Sequence, residues 1–197
     1  MENRYRQMLI DEKTHSELRA AKKMLSSCLG TKPSYRDVID EFVGRRMRFL
    51  RLPDDLRNYI NRFVSDAALD KHVQGVLLFG SVAKNNFSKY SDTDLLIMSD
   101  LPGISSFKDV DGLIKGVEEY REPLVRRGLN LRISPLVLGA NEIQHFRPIY
   151  IDFIEDGVVL FERNGALTDF LNSIRKSVRY ERCIVNDSIV IKWSMKA

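Results

Sequence analysis

A glycine–serine pair and two aspartates have the residue types and spacing that could do chemistry. Gly80 and Ser81 follow an apolar run, and Asp92 and Asp94 stand at the start of the next apolar run. Side chains two apart in a strand leave the same face, so both carboxylates are expected to point to one side. Neighbouring carboxylates repel each other unless a cation lies between them. Hard oxygen ligands suit Mg²⁺, with Mn²⁺ as the alternative.

The glycine–serine turn is expected to complete this site for a phosphorylated ligand. Gly80 would let a phosphate approach the backbone, and Ser81 would open a helical turn with free N–H groups. Lys84 is a candidate to neutralise phosphate charge, and a role as a solvated helix residue is equally open. The pattern therefore predicts a cradle for a divalent cation and a triphosphate.

This arrangement resembles the DNA polymerase beta-like nucleotidyltransferase superfamily in its minimal form. Six residues match the family's pattern: Phe79, Gly80, Ser81, Asp92, Asp94 and Leu95. The resemblance covers roughly residues 53–165. It implies an α+β fold with α/β-like layering, in which helices pack on one side of a short mixed sheet.

The same resemblance implies an activity and a role for each matching residue. A nucleoside monophosphate would pass from a nucleoside triphosphate to a hydroxyl of a protein or nucleic acid. Asp92 and Asp94 would be the catalytic metal ligands. Gly80, Ser81 and Lys84 would bind the phosphates.

The sequence departs from this family where a third carboxylate is expected. Active members carry this metal ligand and base on the next central strand, but residues 130–136 contain no acid and do contain Arg132. Glu142, Asp152 or Glu155 could substitute, and ordinary helix-surface charge is their alternative role. Nucleotide or metal binding is therefore favoured over efficient turnover. The rival functions are an inactive scaffold and a DNA-binding regulator or antitoxin-like protein whose transferase domain only senses nucleotide.

Residues 1–52 are predicted to form a separate module from residues 53–197. They hold 12 Lys and Arg against 7 Asp and Glu, whereas the remainder is nearly neutral. A short strand and two helices in so few residues bury little apolar surface alone, which favours pairing with a second copy. Residues 8–15 and 34–39 resemble the ribbon-helix-helix family of dimeric DNA-binding proteins.

The ribbon-helix-helix resemblance implies a homodimer whose paired strands enter the major groove of DNA. The candidate DNA contacts are Arg4, Tyr5, Arg6 and Gln7, with Ser34 at the N-terminus of the second helix. A module that only dimerises is the alternative. Antitoxin-like proteins have small toxins as partners, so a toxin or another protein acceptor joins the nucleoside triphosphate among the expected partners.

Composition and hydropathy set the remaining expectations. The chain is 44% hydrophobic and 29% charged, and no apolar run approaches the roughly 18 residues of a membrane span. Two cysteines make no disulfide framework, so a cytoplasmic protein is expected. Periodicity predicts helices at 53–64, 107–127, 141–146, 149–154 and 167–180, and strands at 75–79, 93–98, 130–138, 158–161 and 188–193.

Overall fold

The computed structural model describes residues 11–12, 15–16, 18–19, 22–23, 32–102, 110–185 and 188–196. The chain divides into two compact units between Gly44 and Arg45, earlier than the boundary predicted at Pro53. In the first unit, the described residues between 12 and 23 are helical. There the Lys22 ammonium lies 4.5 Å from the centroid of the Tyr35 ring.

The predicted strand of the N-terminal module lies outside the described residues. So do four of the candidate DNA contacts: Arg4, Tyr5, Arg6 and Gln7. Ser34 is exposed and directly precedes helix α1, Tyr35–Leu50. The predicted start of that helix is therefore confirmed. The ribbon-helix-helix resemblance, the homodimer and DNA binding stay predictions.

The larger unit alternates helices and strands, as its sequence predicts. After α1 the chain forms α2 (Asp54–Ala67), β1 (Val73–Phe79), α3 (Gly80–Ala83), β2 (Asp92–Ser99), α4 (Val110–Val117), α5 (Glu122–Arg126), β3 (Arg132–Leu138), α6 (Tyr150–Asp156), β4 (Val158–Glu162), α7 (Ala166–Ser177), β5 (Val178–Val185) and β6 (Ser188–Met195). Among the helices described, none is long and apolar enough to cross a bilayer.

Four strands form one mixed sheet in the order β3-β2-β1-β4. Strand β1 is antiparallel to both β2 and β4, and β2 is parallel to β3. The two central strands are buried along nearly their whole length, which explains their unbroken apolar runs. Pro135 lies in β3, at an edge of this sheet, where a residue without an N–H is tolerated.

Helices cover both faces of the sheet, so the expectation of helices on one side is wrong. Successive residues of β1 and β2 point to opposite faces of the sheet and most are apolar, so each face must pack against another layer. The first core joins α2 to Val76, Leu78, Leu95 and Ile97. The second core joins α6 and α7 to the residues of opposite parity: Leu77, Phe79, Leu96 and Met98.

The helix predicted over residues 107–127 is interrupted. Helix α4 ends at Val117, a single 3₁₀ turn spans Glu118–Arg121, and α5 begins at Glu122. Pro123 explains the new start, since proline fits the first turn of a helix but not its interior. The buried Arg121 guanidinium ties this turn to the residue directly before β3 by donating to the Leu131 carbonyl at 2.9 Å.

Two predictions near the C-terminus also need correction. Residues 141–144 form a turn and no helix covers 141–146, and α7 ends at Ser177 rather than continuing to Tyr180. Val178 and Tyr180 favour extended backbone, and they begin strand β5. The predicted last strand exists, but it pairs with β5 in a separate two-stranded sheet.

We expect Thr93→Val to stabilise the protein. The Thr93 side chain is fully buried, and its hydroxyl oxygen has no hydrogen-bond partner among the described residues. Replacing an unpaired buried hydroxyl by a methyl group should raise the free energy of unfolding by about 1 kcal/mol. Urea unfolding measures the change.

Thr168→Val is the matched control for this substitution. The Thr168 hydroxyl donates to the Glu162 carboxylate at 2.8 Å, so its loss should lower the free energy of unfolding. A loss of stability in both variants would show that the Thr93 hydroxyl is paired in solution.

Candidate functional site

Asp92 and Asp94 lie at the N-terminal end of β2, where the neighbouring strand β1 ends. Asp94 is paired with Phe79, the last residue of β1. Thr93, between the acids, is buried, whereas Asp92 is exposed and Asp94 is half-buried. Because strand positions alternate, both acids share a face with Leu96 of the second core. The structure therefore brings the two predicted acids together on the side of the sheet that α6 covers.

Gly80 provides the space for the Asp94 carboxylate. Its φ of 71° is in the left-handed region that favours glycine. A Cβ built on Gly80 would lie 2.3 Å from Asp94 Oδ2, closer than any real contact. The carboxylate thus lies directly against the backbone of the turn. Both features require glycine at this position, so the sequence motif has a steric cause.

The two acids repel each other in a partly desolvated place. Burial raises the pKa of Asp94 above its usual range, and the charge of Asp92 raises it further. Within the described part of the chain, neither acid forms an ion pair. Two uncompensated carboxylates on one face, beside a backbone with no side chain, fit a divalent cation well.

Ser81 is half-buried in α3, a helix of only four residues. The Ser81 carbonyl accepts a hydrogen bond from the Asn86 N–H at 3.0 Å, which turns the chain back immediately after the helix. Asn85 supports this turn with a φ of 57°, a conformation that asparagine tolerates. Ser81 therefore lies in a turn that a backbone hydrogen bond and a left-handed Asn85 close directly after α3.

A second turn, Ser88–Ser91, directly precedes β2. The Ser88 N–H donates to the Ser91 hydroxyl at 2.8 Å, and the Ser91 N–H donates to the Ser88 carbonyl at 3.2 Å. The Asn130 N–H donates to the Lys89 carbonyl at 2.7 Å and ties this turn to the segment before β3. These hydrogen bonds fix the point at which Asp92 enters the sheet. The sequence analysis missed the part played by Ser88 and Ser91, which a local Ser-x-x-Ser spacing could have indicated.

Lys84 forms ion pairs that the sequence analysis did not anticipate. Its ammonium lies 3.3 Å from Asp152 Oδ1 and 3.4 Å from Asp156 Oδ2, both on α6. Arg48 reaches the same group, with Nη2 at 4.0 Å from Asp156 Oδ1. Neither role considered for Lys84, phosphate binding or solvation, included these contacts. Phosphate binding by Lys84 stays a prediction.

No acid stands on β3 beside the two aspartates. Arg132 is paired with Asp92 and Ser134 with Asp94 in the parallel register, so these two residues occupy the positions nearest the acids on the next strand. Glu142 is engaged elsewhere: its carboxylate accepts from the Gly139 N–H at 3.0 Å and from Arg147 at 3.1 Å. The Gly139 hydrogen bond, with help from Arg147, lowers the pKa of Glu142.

The two other candidate acids belong to a cluster on α6. Carboxylate oxygens of Asp152, Glu155 and Asp156 all lie within 4.8 Å of one another. Their i, i+3, i+4 spacing places them on one helix face. Asp156 was missed by the sequence analysis, although this spacing could have revealed it. The cations Lys84 and Arg48 lie against the cluster, in contrast to the acid pair of β2.

Comparison with known proteins agrees with this geometry. The family described as "Nucleotidyltransferase domain" matches residues 57–159, slightly more than half of the chain. The chain belongs to this family. The matched segment contains the glycine–serine turn, both aspartates and the α6 acids. It does not include the predicted ribbon-helix-helix module, for which no comparison gives support.

Structural similarity to individual proteins is weaker. A crystal structure described as "a putative nucleotidyltransferase from Sulfolobus solfataricus" has 20% sequence identity to this nucleotidyltransferase-family chain and a TM-score of 0.32. The similarity covers 62% of this chain and 88% of that one. No curated protein matches the chain significantly.

We expect Gly80→Ala to destabilise the protein more than Gly128→Ala does. Both glycines have φ in the left-handed region, at 71° and 77°. Alanine in that region costs roughly 1–2 kcal/mol at either position. Only at Gly80 does the added Cβ also collide with a carboxylate, because a Cβ added to Gly128 would point into open space. Equal losses in urea unfolding would contradict the close approach of Asp94.

Asp94→Asn should stabilise the metal-free protein at neutral pH. The raised pKa means that ionising Asp94 opposes folding. This cost is absent below the ordinary value of 3.8, grows as the pH rises through the folded-state pKa and is complete above it. The variant's gain in unfolding free energy, measured in EDTA, should therefore be larger at pH 7 than near pH 4. A gain independent of pH would contradict the assignment.

Proposed function

We propose that this protein binds a nucleoside triphosphate together with Mg²⁺, or Mn²⁺, at Asp92 and Asp94. In this proposal it transfers a nucleoside monophosphate to a hydroxyl of a protein or nucleic acid. The observation that carries the proposal is the Asp94 carboxylate lying against Gly80, with Asp92 beside it and no ion pair to either acid within the described residues. Membership of the nucleotidyltransferase family supports the same reaction class.

Each group of the site has a stated task in this proposal. Asp92 and Asp94 hold the cation, which when bound neutralises phosphate charge and polarises the reacting phosphate. The backbone of Gly80 and the N–H groups opened by Ser81 bind the outer phosphates. The acceptor oxygen then forms a bond to the α-phosphorus, and the bond to the β-phosphate oxygen breaks. Pyrophosphate leaves, and the hydroxyl proton passes to water.

The second candidate function is nucleotide sensing without efficient transfer. Arg132 and Ser134 occupy the β3 positions beside the acid pair, where a third carboxylate would act as metal ligand and base. Losing such a group commonly lowers the rate by orders of magnitude. A cation at Asp92 and Asp94 would still hold the triphosphate, so binding would persist while transfer became slow.

Calorimetry with Mg²⁺ and ATP tests the proposal. The wild-type protein is expected to bind, and Asp92→Asn/Asp94→Asn should bind at least about tenfold more weakly, because the cation loses both charged ligands. Asp169→Asn/Glu181→Gln removes two carboxylates from other elements, α7 and β5, and should bind like the wild type. Equal binding by all three proteins would refute a nucleotide site at these aspartates.

Transfer of a radiolabel separates the two candidate functions. ATP labelled on the α-phosphate should leave its label on an acceptor if the protein transfers a nucleoside monophosphate. ATP labelled on the γ-phosphate should leave none, because that label departs with pyrophosphate. Binding without transfer of the α-label, in the presence of protein and RNA acceptors, would favour the sensor.

A further inference from the structure

Helix α3 is too short to hold its own position. It has four residues, and the Lys84 N–H to the Gly80 carbonyl, at 3.2 Å, is the hydrogen bond that closes its turn. So short a helix is unstable by itself, because nucleation costs more than one hydrogen bond returns. Val82 and Ala83 are buried and fix one side of α3 to the protein. The C-terminal end of α3, which follows the Gly80–Ser81 turn, needs a further contact to stay in place.

Lys84 provides that contact at the C-terminal end of α3. Its ammonium bridges Asp152 and Asp156, at 3.3 Å and 3.4 Å, and the three side chains are only 22–34% exposed. Arg48 Nη2 lies 4.0 Å from the other carboxylate oxygen of Asp156, Oδ1, and also donates to the Asp156 carbonyl at 3.5 Å. Two cations therefore face the acids of α6.

Helix α6 is a firm support for this ion pair. The Phe153 ring packs edge-on against Phe79, with 4.8 Å between the centroids, so α6 contacts the residue directly before Gly80. Arg175 donates to the Ile154 carbonyl at 3.2 Å, which ties α6 to α7. Lys84 thus connects a weakly stable helical turn to a helix that the second core already holds.

We propose that Lys84 is a positioning residue, which ties the Gly80–Ser81 turn to α6 through Asp152 and Asp156 and does not itself bind phosphate. The two carboxylates beside the Lys84 ammonium offset its positive charge, which weakens its attraction for a triphosphate. The inference rests on the proposed function in one respect, namely that the positioned turn is the one that binds nucleotide. The ion pair and its effect on the turn do not depend on that function.

Two variants, studied separately and combined, distinguish a positioning lysine from a phosphate-binding lysine. If Lys84 positions the turn, Lys84→Met and Asp152→Asn/Asp156→Asn should each weaken Mg²⁺–ATP binding by about threefold to tenfold. Combining them should add little, because both break the same contact. If Lys84 binds phosphate, removing the two acids frees its charge, and ATP binding should become tighter. Tighter binding by the acid variant would overturn the proposal.

Two further variants serve as controls for charge and for side-chain chemistry. Lys84→Arg keeps the cation and should recover much of the affinity that Lys84→Met loses. Arg62→Met removes a cation of α2 that pairs with Asp66 at 3.0 Å and lies over the Tyr120 ring, and that contacts neither Lys84 nor the α6 acids in the ion pairs described. It should leave ATP binding unchanged, and an equal loss in this control would show that the Lys84 effect is not local.

Amide hydrogen exchange tests the positioning without any nucleotide. The Lys84 and Asn86 amides donate to the carbonyls of Gly80 and Ser81, so a loosened turn should expose them. We expect exchange about tenfold faster at these amides in Lys84→Met and in the acid variant, but not in Arg62→Met. Unchanged exchange in both would overturn the proposal. If the wild type bound no ATP, the proposed function would fail while this measurement still decided the role of Lys84.

Discussion

The close approach of the Asp94 carboxylate to the Gly80 backbone is the constraint around which this site is built. A Cβ at Gly80 would lie 2.3 Å from Asp94 Oδ2, so the position excludes every other amino acid in this geometry. The approach requires β1 to end at Phe79 and β2 to begin at Asp92, in the antiparallel register that pairs Phe79 with Asp94. Both strands are buried between two layers of helices, which fixes that register.

The described acids near the Gly80–Ser81 turn form two groups, which differ in whether cations of the chain lie beside them. On α6, Asp152 and Asp156 pair with Lys84, and Arg48 also lies beside Asp156, so the chain's own cations neutralise much of the charge of these two acids. On β2, Asp92 and Asp94 have no such partner among the described residues, and burial with mutual repulsion raises the pKa of Asp94. Unrelieved repulsion costs stability, and an external cation relieves it. This contrast distinguishes a ligand site from a structural ion pair more clearly than the number of acids does.

Local sequence patterns predicted the parts of the structure that depend on neighbouring residues. The strands formed by the apolar runs of β1 and β2, the Gly80–Ser81 turn and the shared face of Asp92 and Asp94 follow from strand and turn geometry alone. The break at Pro123 and the strand that begins at Val178 were missed, because a helical period continued through both positions.

Contacts between distant residues could not be predicted in this way. The partners of Lys84 are 68 and 72 positions away in the chain, and the packing of α6 in the second core, against Phe79 and α7, brings them close. The placement of helices on both faces of the sheet likewise depends on which helices pack against each of the two sets of alternate strand residues. Arg132 was recognised as a departure from the family, but its register beside Asp92 required the structure.

Paramagnetic broadening of backbone amide signals by Mn²⁺ tests the central claim most directly. Because Mn²⁺ broadens the nuclei nearest to it, a titration locates the cation without any assumption about activity. A cation shared by the β2 acids should first broaden the amide signals of Gly80, Ser81, Asp92 and Asp94, and Asp92→Asn/Asp94→Asn should abolish the effect. Broadening centred instead on Asp152, Glu155 and Asp156, or unchanged in the variant, would contradict the account.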